Sequence, residues 1–332
     1  MLPQYRDGAR NAVRVCLGVG PQDRVAVIHD RDRADIARAL EEEARSAGAA
    51  VHSWRMEDWV DRPAREFPEA LAQELIEFAP TVSFFAGGGM EGELAFRQPM
   101  RALLVERLHC RHGHMIGITP ELMSDGMAGD YELVYRRTCD VYEAVRNASV
   151  IEVRTALGTD LRATLDPALR WVPCHGRYHE QGQWGNLPEG EVFTSPRSVD
   201  GVLAGEELGD HFTERYGLLA EPARFELEGG RVRSVTTPDE ALRRDIEAYL
   251  GQHPESNRAG EFAIGTNVGL TRIVGNFLQD EKFPGVHIAF GDPYGPETGA
   301  DWSAPSHVDV LASHADVTVD GRRIMREGVI VI

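Results

Sequence analysis

"RVAVIHDRDRADIARALEEEARSAGAAVHSWRM", residues 24–56, decides how the first half of the chain folds. It opens on an apolar run ended by Asp30, the pattern of a strand buried on both faces. Residues 34–48 then carry apolar side chains at helical spacing, with Gly48 to close the helix. Residues 50–56 read as a second strand. A strand, a helix and a strand of these lengths form a crossover unit, and its strands run parallel.

The pattern continues outward. A helix starts near Pro68 and runs to residue 79, a strand follows at 81–87, and a helical stretch is broken or kinked near Pro99. A fourth strand is expected at 114–119. The expectation is an α/β Rossmann-like domain over residues 1–140 with a doubly wound, mostly parallel sheet. Beyond it the rhythm changes. Residues 150–166 read as a hairpin around Gly158 and Thr159, and 224–236 as a hairpin turning at Gly229 and Gly230. With a helix at 239–252 and short strands to the end, residues 141–332 are expected to form an α+β domain that binds metal.

Composition narrows the function. The chain has 332 residues and a net charge of −18, so its surface repels phosphate backbones and a nucleic-acid partner is not expected. No run approaches the ~18 apolar residues of a membrane span, and the first residues lack a signal-peptide core; a cytoplasmic protein is expected. Lys282 is the single lysine. A Schiff-base lysine would have to be this one, and no phosphate-binding G-K-[ST] loop exists. The four cysteines form no C-x-x-C pair and read as reduced thiols.

Two motifs are set aside. Gly87, Gly89 and Gly92 in "FAGGGMEGEL" match G-x-G-x-x-G, but after the third strand and without the acidic residue a dinucleotide would need, so the stretch reads as a turn. His109, His112 and His114 cluster without an acidic or cysteine partner at fitting spacing. Residues 174–196 are more informative: a long polar loop with His175, His179, Glu180 and Trp184 that runs to Glu191 at the start of a strand. Further on, Glu261 opens "EFAIG", His287 sits inside the apolar "GVHIAFG", Tyr294 follows, and "SHVDV" carries His307 and Asp309 two apart, on one face if extended. Two histidines and a carboxylate suit zinc, cobalt, manganese or iron(II), and further carboxylates suit a second ion.

Together "NLPEGEVFTSP", "GEFAIGTN", "EKFPGVHIAFG" and "SHVDV", with "MSDGMAGDY" and "TVDGRRIMREG", resemble the aminopeptidase T family of thermophilic metallopeptidases. The resemblance covers the second domain well and the first weakly. It implies two divalent metals bound by Glu191, Glu261, His287, His307 and Asp309, a family tyrosine at Tyr294, and a homodimer. The same look is shared by 2,5-dihydroxypyridine dioxygenases, which are nearer this length and hold one iron(II) through ligands that include the H-x-D pair.

Three functions are therefore carried forward. The first is a metal-dependent hydrolase of a short peptide or small amide, with two zinc-, cobalt- or manganese-like ions, Glu261 or Glu191 as general base and Tyr294 as oxyanion donor. The second is a ring-cleaving dioxygenase with one Fe(II) on His287, His307 and Asp309, and His175 or His179 moving protons. The third is a non-catalytic metal-binding protein.

Overall fold

The computed structural model describes residues 2–332. They form two compact units, one running to Glu132 and including Gly176–Glu189, the other comprising Leu133–His175 and Gly190–Ile332. Where the sequence suggests a boundary near residue 140 and a loop of the second domain at 174–196, the chain thus returns to the first unit for fourteen residues, from Gly176 to Glu189.

In the first unit, β1 (Arg24–His29), β2 (Ala50–Arg55), β3 (Val82–Gly87) and β4 (Arg111–Ile116) lie in the order β2-β1-β3-β4, all parallel, and the returning segment adds β8 (Trp184–Asn186) beside β4. This is the doubly wound sheet expected from residues 24–56. The helix Ala34–Ser46 buries Ile36, Ala37, Leu40 and Ala44. Pro99 lies inside the helix Leu94–Arg101, which widens into a π-helical turn from Ala102 to Arg107.

Strand β4 begins three residues before the sequence pattern suggests, because His112 and His114 are buried on it. His112 bonds Ser83 through Nδ1 at 2.9 Å and His114 through Nε2 at 3.1 Å, and His114 stacks on Phe85. Burial, helped by the charge of Arg101, pushes the His112 pKa down to about 3, and burial also lowers His114. These histidines are a neutral, internally satisfied pair. A histidine whose folded pKa lies below its unfolded value of ~6.5 takes up its proton more readily when unfolded. Its contribution is therefore intact above pH 6.5 and lost as the pH falls toward 3, at about 1.4 kcal/mol per pH unit for His112. Unfolding midpoints measured at pH 7 and 5 should fall further for the native chain than for His112→Gln. Equal drops would show that His112 is not buried in its neutral form.

The second unit is antiparallel. One sheet contains β5 (Val150–Arg154), β6 (Asp160–Thr164), β10 (Ser198–Gly205), β12 (Ala223–Glu228), β13 (Arg231–Thr236), β17 (Asp316–Val319), β18 (Arg322–Arg326) and β19 (Val329–Ile330), in the order β13-β12-β10-β6-β5-β17-β18-β19. It includes both hairpins expected from Gly158 and from Gly229–Gly230. The other contains β7 (Val172–Cys174), β9 (Glu191–Thr194), β11 (Glu207–Leu208), β14 (Ala259–Gly265), β15 (Gly285–Gly291) and β16 (His307–Ser313), in the order β11-β16-β15-β14-β9-β7. The two sheets share one core: Ile151, Leu161, Leu203 and Phe225 from the first meet Val192, Phe262, Ile288, Phe290 and Val310 from the second, with Phe225 stacked on Phe290 at 5.6 Å. The helix Glu240–Gly251 is capped by the Asp239 carboxylate and buries Leu242, Ile246 and Leu250, one side chain per turn.

Candidate metal centre

Strand parity builds this site. In the six-stranded sheet Gly265 lies opposite Glu191, Ala263 opposite His287, Glu261 opposite Ala289, Ala289 opposite Asp309, and Gly291 opposite His307. Directly paired residues share a face, as do residues two apart along a strand. Glu191, Glu261, His287, His307 and Asp309 therefore all project from one face, across the four neighbouring strands β9, β14, β15 and β16. Val192, Phe262, Ile264, Ile288, Val308 and Val310 alternate with them and fill the core on the other face. Gly260 sits in a bulge just before Glu261; a Cβ there would lie 2.1 Å from the Gly291 carbonyl oxygen, so only glycine lets the strands close.

The side chains converge. His287 Nε2 lies 3.4 Å from Glu261 Oε1, 3.5 Å from Glu191 Oε2 and 3.8 Å from Asp309 Oδ1. His307 Nε2 lies 3.6 Å from Glu261 Oε2 and 3.5 Å from Asp309 Oδ1. These separations exceed the ~2.7–2.9 Å of a charge-assisted hydrogen bond. All but the 3.8 Å between His287 and Asp309 match the roughly 3.3–3.6 Å between donor atoms that surround one ion tetrahedrally at ~2.0–2.2 Å.

Two further features fit a cation. Glu191 Oε2 is buried without a hydrogen-bond partner among the described residues. His307 Nδ1 is 2.9 Å from the Asp292 carbonyl, which can only accept, so Nδ1 carries a proton and Nε2 is the nitrogen that faces the cluster. The donor set of imidazole nitrogen and carboxylate oxygen suits a divalent transition metal or zinc.

Electrostatics tell the same story. Burial alone would lower the histidine pKa values, but Glu261, Glu191 and Asp309 outweigh it for His287 and raise it to about 9; Asp309, Glu261 and the Asp292 carbonyl raise His307 to about 10. Burial pushes the Glu261 carboxyl up against the pull of both histidines. Burial opposes ionisation of Asp309 too, yet His307, His287 and Lys282 hold it below its ordinary value. The cluster thus attracts positive charge strongly.

Over residues 138–322, more than half of the chain, the sequence matches the thermophilic metalloprotease (M29) family. The chain belongs to the M29 family. It is thereby a member of a family of metal-dependent hydrolases, as the resemblance in its motifs implies. Two solved structures share the fold of this M29 chain along nearly its full length. One is 2,5-dihydroxypyridine dioxygenase from Pseudomonas putida KT2440, at 19% identity and a TM-score of 0.70, over 99% of this chain and 96% of the other. The other is wild-type AmpT from Thermus thermophilus, at 19% identity and a TM-score of 0.69, over 99% of both. No curated protein matches the M29 chain in sequence.

The remaining candidates of the M29 chain occupy different settings. Tyr294 has a left-handed backbone, φ 50°, held by its N–H on Asp292 Oδ1 at 3.0 Å, and its ring lies 4.6 Å from that of His307. The residue is 41% exposed, but burial of the hydroxyl and the nearby charges of Glu261 and Asp309 push its pKa up, so it stays protonated. His175 packs edge-on against Tyr135, and His179 is exposed in the first unit with Nε2 on the Val15 carbonyl at 2.8 Å. Neither belongs to a cluster of potential metal ligands among the described residues.

Two residues not singled out as ligands join the cluster. Glu281 forms a ligand-competent triad with His287 and Asp309; burial, with the charges of Glu191 and Asp309, outweighs Lys282 and raises its carboxyl to about 8. Lys282 is 1% exposed and bonds Glu191 Oε1 at 2.6 Å and Glu281 Oε1 at 2.7 Å. Their sequence, "DEK", reads as an ordinary charged surface triplet. The single lysine in a chain that otherwise uses arginine is the signal the sequence offers.

Among the described residues, no helix is long and apolar enough to cross a membrane.

Proposed function

We propose that this M29 chain is an aminopeptidase-like hydrolase, cleaving an amide or peptide bond in a short peptide or small molecule. One observation carries this reading: the buried carboxylate of Glu261 reaches toward both imidazoles, with its pKa raised, beside a set of two histidines and one carboxylate. His287, His307 and Asp309 would hold the metal, with Glu261 and Glu191 completing its surroundings. When bound, the ion polarises the scissile carbonyl and makes a water nucleophilic near neutral pH. Glu261 takes the proton from that water as it attacks, then returns it to the leaving amine. Its raised pKa suits both halves of that exchange. The protonated Tyr294 hydroxyl donates a hydrogen bond to the developing oxyanion. Lys282 ties Glu191 through Oε1, which favours Glu261 as the base.

A second reading, a ring-cleaving dioxygenase with one Fe(II), is favoured by the same two histidines and Asp309, since that set also suits a non-haem iron with open positions. Its proton carriers would be His175 and His179, and His179 has Nε2 committed to a backbone carbonyl. Assays separate the readings. The chain loaded with zinc, cobalt or manganese should release N-terminal residues from a panel of peptides. Oxygen uptake with a dihydroxypyridine in the iron(II) form, with no peptide turnover by any metal form, would sink the hydrolase reading.

A further inference from the structure

We propose that the ammonium group of Lys282 stands in the place of a second dication, so that the centre takes one metal ion per chain. This rests on the reading of the cluster as a metal centre, and it departs from the pair of ions that the family resemblance implies. The first observation is position. Lys282 Nζ is simultaneously 2.6 Å from Glu191 Oε1 and 2.7 Å from Glu281 Oε1. An ion bridging those two oxygens at ~2.0–2.2 Å would have to occupy the space that Nζ fills. The ammonium and a second ion therefore compete for the same oxygens and repel each other at close range.

The second observation is the choice of side chain. Of 35 basic residues, lysine appears once, here, and it is 1% exposed. Lysine ends in a compact point charge that two carboxylates can approach from different directions. Arginine ends in a planar fork that needs more room and a fixed geometry. The one position at which this chain departs from arginine is the one that calls for an ion-sized cation.

The third is that the backbone holds the lysine in place. Its N–H donates to the Gln279 carbonyl at 2.9 Å, and its own carbonyl accepts from Asn267 N–H at 3.0 Å. Strand β14 passes so close that a Cβ at Gly265 would lie 2.9 Å from the Lys282 carbonyl oxygen and 1.9 Å from that of Phe283. Glycine at 265 is what allows the 282–283 turn to lie against the strand opposite Glu191.

Charge follows suit. Glu191, Glu261, Glu281 and Asp309 surround the cluster. One ammonium and one dication set three positive charges against these four carboxylates and leave the cluster one negative charge, whereas two dications beside the ammonium would set five and leave buried positive charge in excess. With Glu191 Oε1 and Glu281 Oε1 bonded to Lys282, the ion is left to His287, His307 and Asp309, beside Glu191 Oε2 and Glu261, with a coordination position open for water or substrate.

Metal counting tests this without reference to turnover. The purified full chain is stripped with a chelator and dialysed against excess Zn²⁺, and in parallel Co²⁺. Metal per chain is then read by mass spectrometry of the digested protein, and folding by circular dichroism. The native chain should hold one ion, and Lys282→Gln, which removes the charge and shortens the side chain, should hold two. Two ions in the native chain overturn the proposal and leave the metal-centre reading standing. A folded Lys282→Gln that holds one ion overturns it as well. No ion in the native chain overturns the metal-centre reading itself, and this inference with it. Should Lys282→Gln fail to fold, Lys282→Met, which keeps the apolar stem, takes its place, and a native count of two remains decisive.

Discussion

Replacing His307 with alanine is expected to weaken metal binding by at least ~100-fold, since even loss of a partner outside the ligand shell costs 10–100-fold. Activity should fall below detection at a metal concentration that saturates the native chain. The fold should survive. His307 sits at the start of β16, its side chain is 18% exposed, and besides Glu261 and Asp309 its contacts are the Tyr294 ring and the Asp292 carbonyl. Losing them should lower the unfolding midpoint of the metal-free protein by a few degrees, the shift that about 1–2 kcal/mol produces in a chain of this size. Titration calorimetry with Zn²⁺ and thermal unfolding of the stripped protein give both numbers. Unchanged affinity would remove His307 from the ligand set. Loss of folding equal to loss of binding would favour a structural metal in a non-catalytic protein.

Glu261→Gln should separate catalysis from binding. Glutamine keeps the shape of the side chain and removes the charge and the proton-accepting oxygen. Under the hydrolase reading kcat should fall by roughly 10²–10⁴, the contribution of a positioned general base. KM should change little, and the ion should still be found on His287, His307 and Asp309. The native chain should also lose rate as Glu261 is protonated at acid pH, and that limb of the pH profile should vanish in the variant. Peptide turnover within tenfold of the native chain would mean that Glu261 does not activate the water, and would pass the role of base to Glu191.

The candidate metal face could be read in the sequence because strands advertise their faces by alternation. In "GVHIAFG" and "HVDVLAS" the ligand-type residues fall on one parity and Val286, Ile288, Val308 and Val310 on the other, so position in a strand and chemistry can be read together. The parallel sheet was legible for a related reason: its strands are continuous apolar runs separated by helices. What escaped was non-local. Strand β8 is three residues long and pairs with a strand some seventy positions earlier, so no local pattern marks it. His112 and His114 break the apolar run of β4 because their polarity is satisfied by Ser83 and by each other. Glu281 and Lys282 look like surface residues until the turn that carries them is packed against Gly265. Asp292 is the quietest case: its carbonyl holds His307 and its carboxylate the Tyr294 N–H, roles that no spacing rule announces.

The seclusion of Lys282 also makes the protein a reporter of its own opening. A lysine-specific endoprotease has a single internal target, the Lys282–Phe283 bond, and that bond lies beneath buried side chains at the heart of the cluster. Cleavage there requires the turn to leave the sheet, so the rate of appearance of one cut, yielding residues 1–282 and 283–332, measures how often the centre comes apart. Following that cut with and without added metal would give the stabilisation that the ion confers on its own surroundings, read as proteolysis at one peptide bond.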